Sequence, residues 1–111
     1  MNENAVQPFT AEDLKEDVIE MLKTIYDPEI PVNIYELGLI YNIDVSDSGN
    51  VVVKMTLTAP GCPVAQSFPG DIEGKISTID GVNKVHVELI WEPAWNRDMM
   101  SEAAQLQLGM F

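Results

Sequence analysis

Two runs of alternating residues, Leu39–Val45 and Val51–Thr58, flank the stretch "SDSGN" at 46–50. In the first, Leu39, Tyr41, Ile43 and Val45 alternate with Ile40, Asn42 and Asp44. In the second, Val51, Val53, Met55 and Leu57 alternate with Val52, Lys54, Thr56 and Thr58. A period of two residues sends neighbouring side chains to opposite faces of a strand, and Gly, Asn and Asp between two such runs are turn residues. The pattern predicts an antiparallel β-hairpin, and the rest of the chain must cover its apolar face.

The flanking segments have helical spacing. Thr10 is placed as an N-cap, with Glu12 and Asp13 in the first turn, where carboxylates suit the helix dipole. Leu14, Val18, Met21, Leu22 and Ile25 then form one apolar stripe, and Asp27-Pro28 is expected to end that helix. A second stripe comprises Phe68, Ile72, Ile76 and Ile79, with Pro69-Gly70 near its start and Asp80-Gly81 as its stop. Pro69 implies either a short preceding turn or a kink. A third strand follows, with Val85, Val87, Leu89 and Trp91 on its core face and Lys84, His86, Glu88 and Ile90 opposite. Ser101 caps a short last helix that Gly109 stops. The expected fold is α/β (α+β) in the order αββαβα: a small mixed three-stranded sheet with helices mainly on one face. Residues 1–9 read as a flexible N-terminal tail and 10–111 as a single domain.

Cys62 is the only cysteine, so the chain forms no internal disulfide and suits a reducing cytoplasm better than secretion. The first residues lack the basic-then-apolar order of a signal peptide, and no apolar run approaches the ~20 residues that span a bilayer. Six Lys+Arg against eighteen Asp+Glu give a formal charge of −12. That sign argues against nucleic acid and anionic membranes, both of which need basic contacts. The acidity serves solubility, or it attracts cations and basic partner surfaces.

Cys62 stands between Gly61 and Pro63 in "TAPGCPVAQ". Pro63 suits the first position of a helix, which would put Cys62 at a helix N-terminus, where a thiolate is stabilised. Gly61 leaves room for a ligand. A buried structural cysteine is the competing reading. Asp27 and Glu29 flank Pro28 on a stiff connector, "DPEIPVNIYELG", either as ligands or as turn-formers; Glu36 is a weaker case. Thr56 and Thr58 are placed to donate toward the thiol, although threonine is also simply a good strand residue. His86, between Lys84 and Glu88, is expected to face solvent. Metal-ligand spacings such as CxxC and HxxxH are absent. "WEPAWNRDMM" offers Trp95, Met99 and Met100 either for packing over the cysteine loop or for a partner.

The stretches "DPEIPVNIYELGLIYNI", "KMTLTAPGCPVA", "GVNKVHVELIWEPAW" and "DMMSEAAQLQLGMF" together resemble the small SufT- and PaaD-type proteins of iron–sulfur cluster maturation, the last two the SufT branch in particular. The resemblance runs from Glu12 to Phe111. It implies a compact α/β domain and an accessory role in assembling iron–sulfur clusters or delivering them to client apoproteins, with the assembly machinery and clients as partners. By the same resemblance Cys62 is the key functional residue, Asp27 and Glu29 match an acidic motif, and Thr58 matches the threonine before the cysteine loop; Cys62 is expected, as a hypothesis, to be one metal ligand.

A protein-held cluster typically has four cysteine ligands, and this chain has one. A cluster or iron is therefore expected to be held transiently. Asp27 or Glu29 would help, with the remaining ligands from a second protomer in a homodimer, a small thiol or the client. Two other functions compete: an adaptor that binds no metal and docks clients through residues 91–100, Trp95 above all, and a thiol-dependent enzyme, which lacks a base motif.

Overall fold

A computed structural model describes residues 10–58 and 67–109. The expectations for the tail at 1–9 and for Gly61, Cys62 and Pro63 lie outside the described residues.

Helix α1 spans Ala11–Leu22. Thr10 caps it as the sequence predicts, its Oγ1 accepting from the Asp13 N–H at 3.0 Å. Leu14, Val18 and Leu22 are buried. The helix ends earlier than Asp27. Thr24 Oγ1 donates to the Met21 carbonyl at 2.6 Å, and the chain beyond pairs with residues further on instead of continuing the helix. Ile34 N–H donates to the Ile25 carbonyl at 2.8 Å, and Tyr26 bridges Asn33. Proline is thus not what stops α1; a tertiary pairing does.

Strands β1 (Ile40–Val45) and β2 (Asn50–Met55) form the expected antiparallel hairpin, with Ile43 opposite Val53 and Val45 opposite Val51. Gly49, at φ +87°, closes its loop, a conformation glycine adopts at little cost. An extra residue in β1 between Ile40 and Asn42 breaks the simple alternation. Ile40 joins the core, while Tyr41 turns its hydroxyl to the Pro93 carbonyl at 2.7 Å.

Strand β3 (Lys84–Leu89) lies parallel to β2, Val51 beside Val85 and Val53 beside Val87, giving a sheet in the order β1-β2-β3. Parallel neighbours need a crossover, and α2 (Phe68–Ile76) supplies it. Pro69 belongs to the first turn of α2, where a missing N–H costs nothing, and does not kink the helix. Phe68, Ile72 and Ile76 pack into the core with Leu22, Val53 and Met55. Asn42, Asp44, His86 and Glu88, all exposed, stand on the opposite, polar face of the sheet. A final helix, α3 (Glu102–Gln107), is capped by Ser101 Oγ, which accepts from the Ala104 N–H at 3.1 Å. A 3₁₀ turn at Arg97–Met99, which the sequence did not signal, precedes it.

Two corrections concern strand faces. Trp91, expected to finish the core face of β3, is 39% exposed, because the strand ends at Leu89. Thr56, expected on the face opposite Met55, is buried at 1%: β2 ends at Met55, and Thr56 lines one cavity with Trp91, Glu92 and Trp95.

Candidate functional site

The connector 27–38 is built on an aspartate. Asp27 is 7% exposed, and its Oδ2 accepts from the backbone N–H groups of Glu29 at 2.9 Å and Ile30 at 2.8 Å. Aspartate before proline commonly makes this kind of local turn. Of the two roles the sequence left open for Asp27, turn formation is what this oxygen performs. Asn33 repeats the device, its Oδ1 accepting from the Glu36 N–H at 2.8 Å.

The turn presents Glu29 outward, and Thr58 Oγ1 donates to its Oε1 at 3.1 Å. Thr58 is the last described residue before the cysteine loop, and Cys62 follows in "TAPGC". The acidic connector and the approach to the thiol, distant in sequence, therefore meet through one side-chain bond.

Beside Thr58 lies a cavity of about 310 Å³ walled by Thr56, Leu57, Trp91, Glu92 and Trp95. Thr56 Oγ1 is buried there with no hydrogen-bond partner among the described residues. The sequence treated Thr56 and Thr58 as equivalent, whereas the fold gives one hydroxyl a carboxylate partner and leaves the other unpaired. A larger groove of about 680 Å³, between the end of α1 and α2, includes Ile25, Tyr26, Phe68 and Lys75, and none of the residues singled out for chemistry.

The C-terminal segment straps the connector from outside. Trp95 Nε1 donates to the Leu37 carbonyl at 2.7 Å, Ser101 N–H to the Glu36 carbonyl at 2.8 Å, and Gln107 Nε2 to the Pro31 carbonyl at 3.2 Å. Gly38 lets the strap approach: at φ +86°, a Cβ there would stand 2.2 Å from the Met99 carbonyl oxygen. Trp95 is half-buried and packs against the core, and Met100 is buried within it. Tyr41, whose hydroxyl also reaches Met99 Sδ at 3.5 Å, has its pKa raised by burial. His86 is exposed as expected, its Nδ1 3.8 Å from Glu73 Oε2. Among the described residues, no group of three or more His, Cys, Asp or Glu side chains is arranged to hold a metal ion.

Comparisons with known proteins agree with this architecture. The family model described as "Iron-sulfur cluster assembly protein" matches residues 15–89. The "Fe-S protein maturation auxiliary factor" of Porphyromonas gingivalis is 56% identical over 95 residues, covering 86% of this chain and 90% of that protein. The "Fe-S protein maturation auxiliary factor SufT" of Staphylococcus aureus is 36% identical over 86 residues, covering 78% and 98%. The crystal structure of a domain of unknown function from Bacillus anthracis superposes with a TM-score of 0.83 at 33% identity, covering 91% of this chain and 96% of that one. With a family match over most of its length and relatives this similar, the chain belongs to the iron–sulfur cluster assembly protein family.

Proposed function

We infer that this protein is an accessory factor in iron–sulfur cluster assembly or in delivery of clusters to client apoproteins, and that Cys62 is a transient ligand for the iron or cluster it carries as cargo. The family match and the names of the relatives support the accessory role. The observation that carries the site is the Thr58–Glu29 bond, which holds a carboxylate at the strand end leading toward Cys62. Iron accepts oxygen as well as thiolate donors, so Glu29 is suited to join Cys62 as a ligand. Asp27, with Oδ2 already accepting two N–H groups, positions Glu29.

One thiolate does not meet the four-cysteine requirement of a resident cluster. The remaining ligands come from a second protomer, a small thiol or the client, and such a labile site favours handover. The protein works without turnover chemistry, in the cytoplasm, alongside the assembly machinery.

The test is anaerobic reconstitution with iron and sulfide, comparing wild type with Cys62→Ser by absorption and bound iron per chain. A chromophore present in wild type and absent from the variant is expected. Absence of specific binding in both would overturn the carrier role. A second reading, an adaptor that docks clients through residues 91–100, draws on the exposure of Trp91. Trp95, the residue favoured from the sequence for this role, is half-buried with its Nε1 on the Leu37 carbonyl, so the reading shifts to Trp91 and predicts that Trp91→Ala, and not Cys62→Ser, abolishes client binding.

A further inference from the structure

The cavity of about 310 Å³ beside Thr58 grades from a buried floor to an open mouth. Thr56 and Leu57, 1% and 5% exposed, form the floor, while Trp91, Glu92 and Ala94 stand exposed at the mouth. Trp95 completes the wall. Its one donor, Nε1, is committed to the Leu37 carbonyl at 2.7 Å, which leaves apolar and π surface for the cavity. Thr56 Oγ1 has no hydrogen-bond partner among the described residues. A buried hydroxyl in that state lowers stability, and nothing ties it against turning to an N–H donor in the cavity. Glu92 supplies formal charge, and among the described residues it pairs with no basic side chain. Thr58, also on the wall, brings a second carboxylate to its side by donating to Glu29 at 3.1 Å. The chain's own Arg97 is exposed and does not line the cavity.

We propose that this cavity receives an arginine side chain of a partner protein. Two tryptophans and an unpaired carboxylate make a cage for a cation, because the face of an indole attracts positive charge. The unpaired hydroxyl at the floor calls for a donor, and a cationic nitrogen supplies one. A guanidinium meets these demands together. Its planar fork serves Glu92 on one side and Thr56 on the other while its faces lie against the tryptophans, which the compact point charge of a lysine does not do. The aliphatic stem of the arginine suits the apolar wall at Leu57 and Ala94. The formal charge of −12 steers basic surfaces toward the chain. Naming the partner as a client apoprotein rests on the accessory role inferred above. A client anchored this way lies beside Thr58, at the strand end that leads toward Cys62.

Both tryptophans of the chain line the cavity, so the tryptophan fluorescence of the reduced, metal-free protein reports on it directly. The probe is a glycine–arginine–glycine peptide with both ends blocked, titrated beside the same peptide carrying lysine or citrulline, the uncharged isostere of arginine. The arginine peptide is expected to give a saturable shift, and the other two to bind at least about tenfold more weakly. Glu92→Gln weakens arginine binding about tenfold, and Thr56→Val about fivefold. Asp47→Asn makes the same charge change in the hairpin loop, at the other end of β2, and leaves the affinity unchanged. Thermal melts confirm that each variant is folded. Absence of a saturable shift overturns the proposal, as does equal binding of the lysine or citrulline peptide. Equal losses in Glu92→Gln and Asp47→Asn also overturn it, assigning the attraction to overall charge. The titration involves no iron, so its failure leaves the carrier role standing, and a failed reconstitution leaves the arginine site standing.

Discussion

Thr58 and Glu29 are joined by a 3.1 Å hydrogen bond between side chains 29 residues apart in sequence. The bond ties the end of the β2 run to a connector whose own shape depends on Asp27, so a change at either side chain is felt by both segments. The carboxylate ends up where the chain departs toward Cys62 because two unrelated stretches are folded against each other, each by its own local chemistry.

Removing that bond tests how much it holds. Thr58→Val is expected to cost about 1 kcal/mol of stability, the usual net value of one hydrogen bond to a partly exposed group. Glu29→Gln, which keeps an acceptor, costs less. A double-mutant cycle by urea denaturation should return a coupling between positions 58 and 29; additive effects would mean the two side chains act independently.

Asp27 is expected to behave as a structural residue. Asp27→Ala deprives two backbone N–H groups of their acceptor and should destabilise by about 2–3 kcal/mol. Asp27→Asn retains a side-chain oxygen and should lose less. The comparison is made by chemical denaturation of the metal-free protein. Equal and negligible losses would remove Asp27 from the framework of the connector.

Thr56 carries the opposite prediction. Its buried hydroxyl has no partner among the described residues, so Thr56→Val, nearly the same shape, should raise stability by about 1 kcal/mol. A fall in the urea midpoint would reveal that the hydroxyl is satisfied after all.

Two glycines should respond in opposite directions to alanine. Gly38→Ala meets the Met99 carbonyl at a positive φ and should cost about 3 kcal/mol, loosening the strap over the connector. Gly70→Ala, inside α2 with nothing within 4 Å of the new methyl, should stabilise by about 0.5–1 kcal/mol through helix propensity. Thermal melts of the two variants side by side decide this.

Tyr41 links stability to alkaline pH. Burial raises its pKa above 10.0, so folding favours the neutral phenol. The resulting stabilisation is fully present below the unfolded value and is lost as pH rises from there through the folded pKa. Tyr41→Phe should flatten that part of the stability–pH profile, measured by urea titration at successive pH values. An unchanged slope would show that Tyr41 ionises alike in both states.

Much of this was legible in the chain. The cap at Thr10, the hairpin with its Gly49 turn, the stripe Phe68–Ile72–Ile76 and the stop after α3 are local matters, decided by residues within a turn or two of each other. The motifs around Asp27 and Cys62 identified the family for the same reason, being contiguous strings. Tertiary structure decided the rest. The end of α1 follows from pairing between 25–27 and 32–34, and Thr56 comes to line a cavity with the later 91–95 segment. The exposure of Trp91 follows from where β3 leaves its neighbour, and the meeting of Glu29 with Thr58 from two loops brought to one end of the sheet. Periodicity reports which face of an element is apolar, but not which distant segment covers it, because that choice is made by packing between parts of the chain that carry no signal of one another.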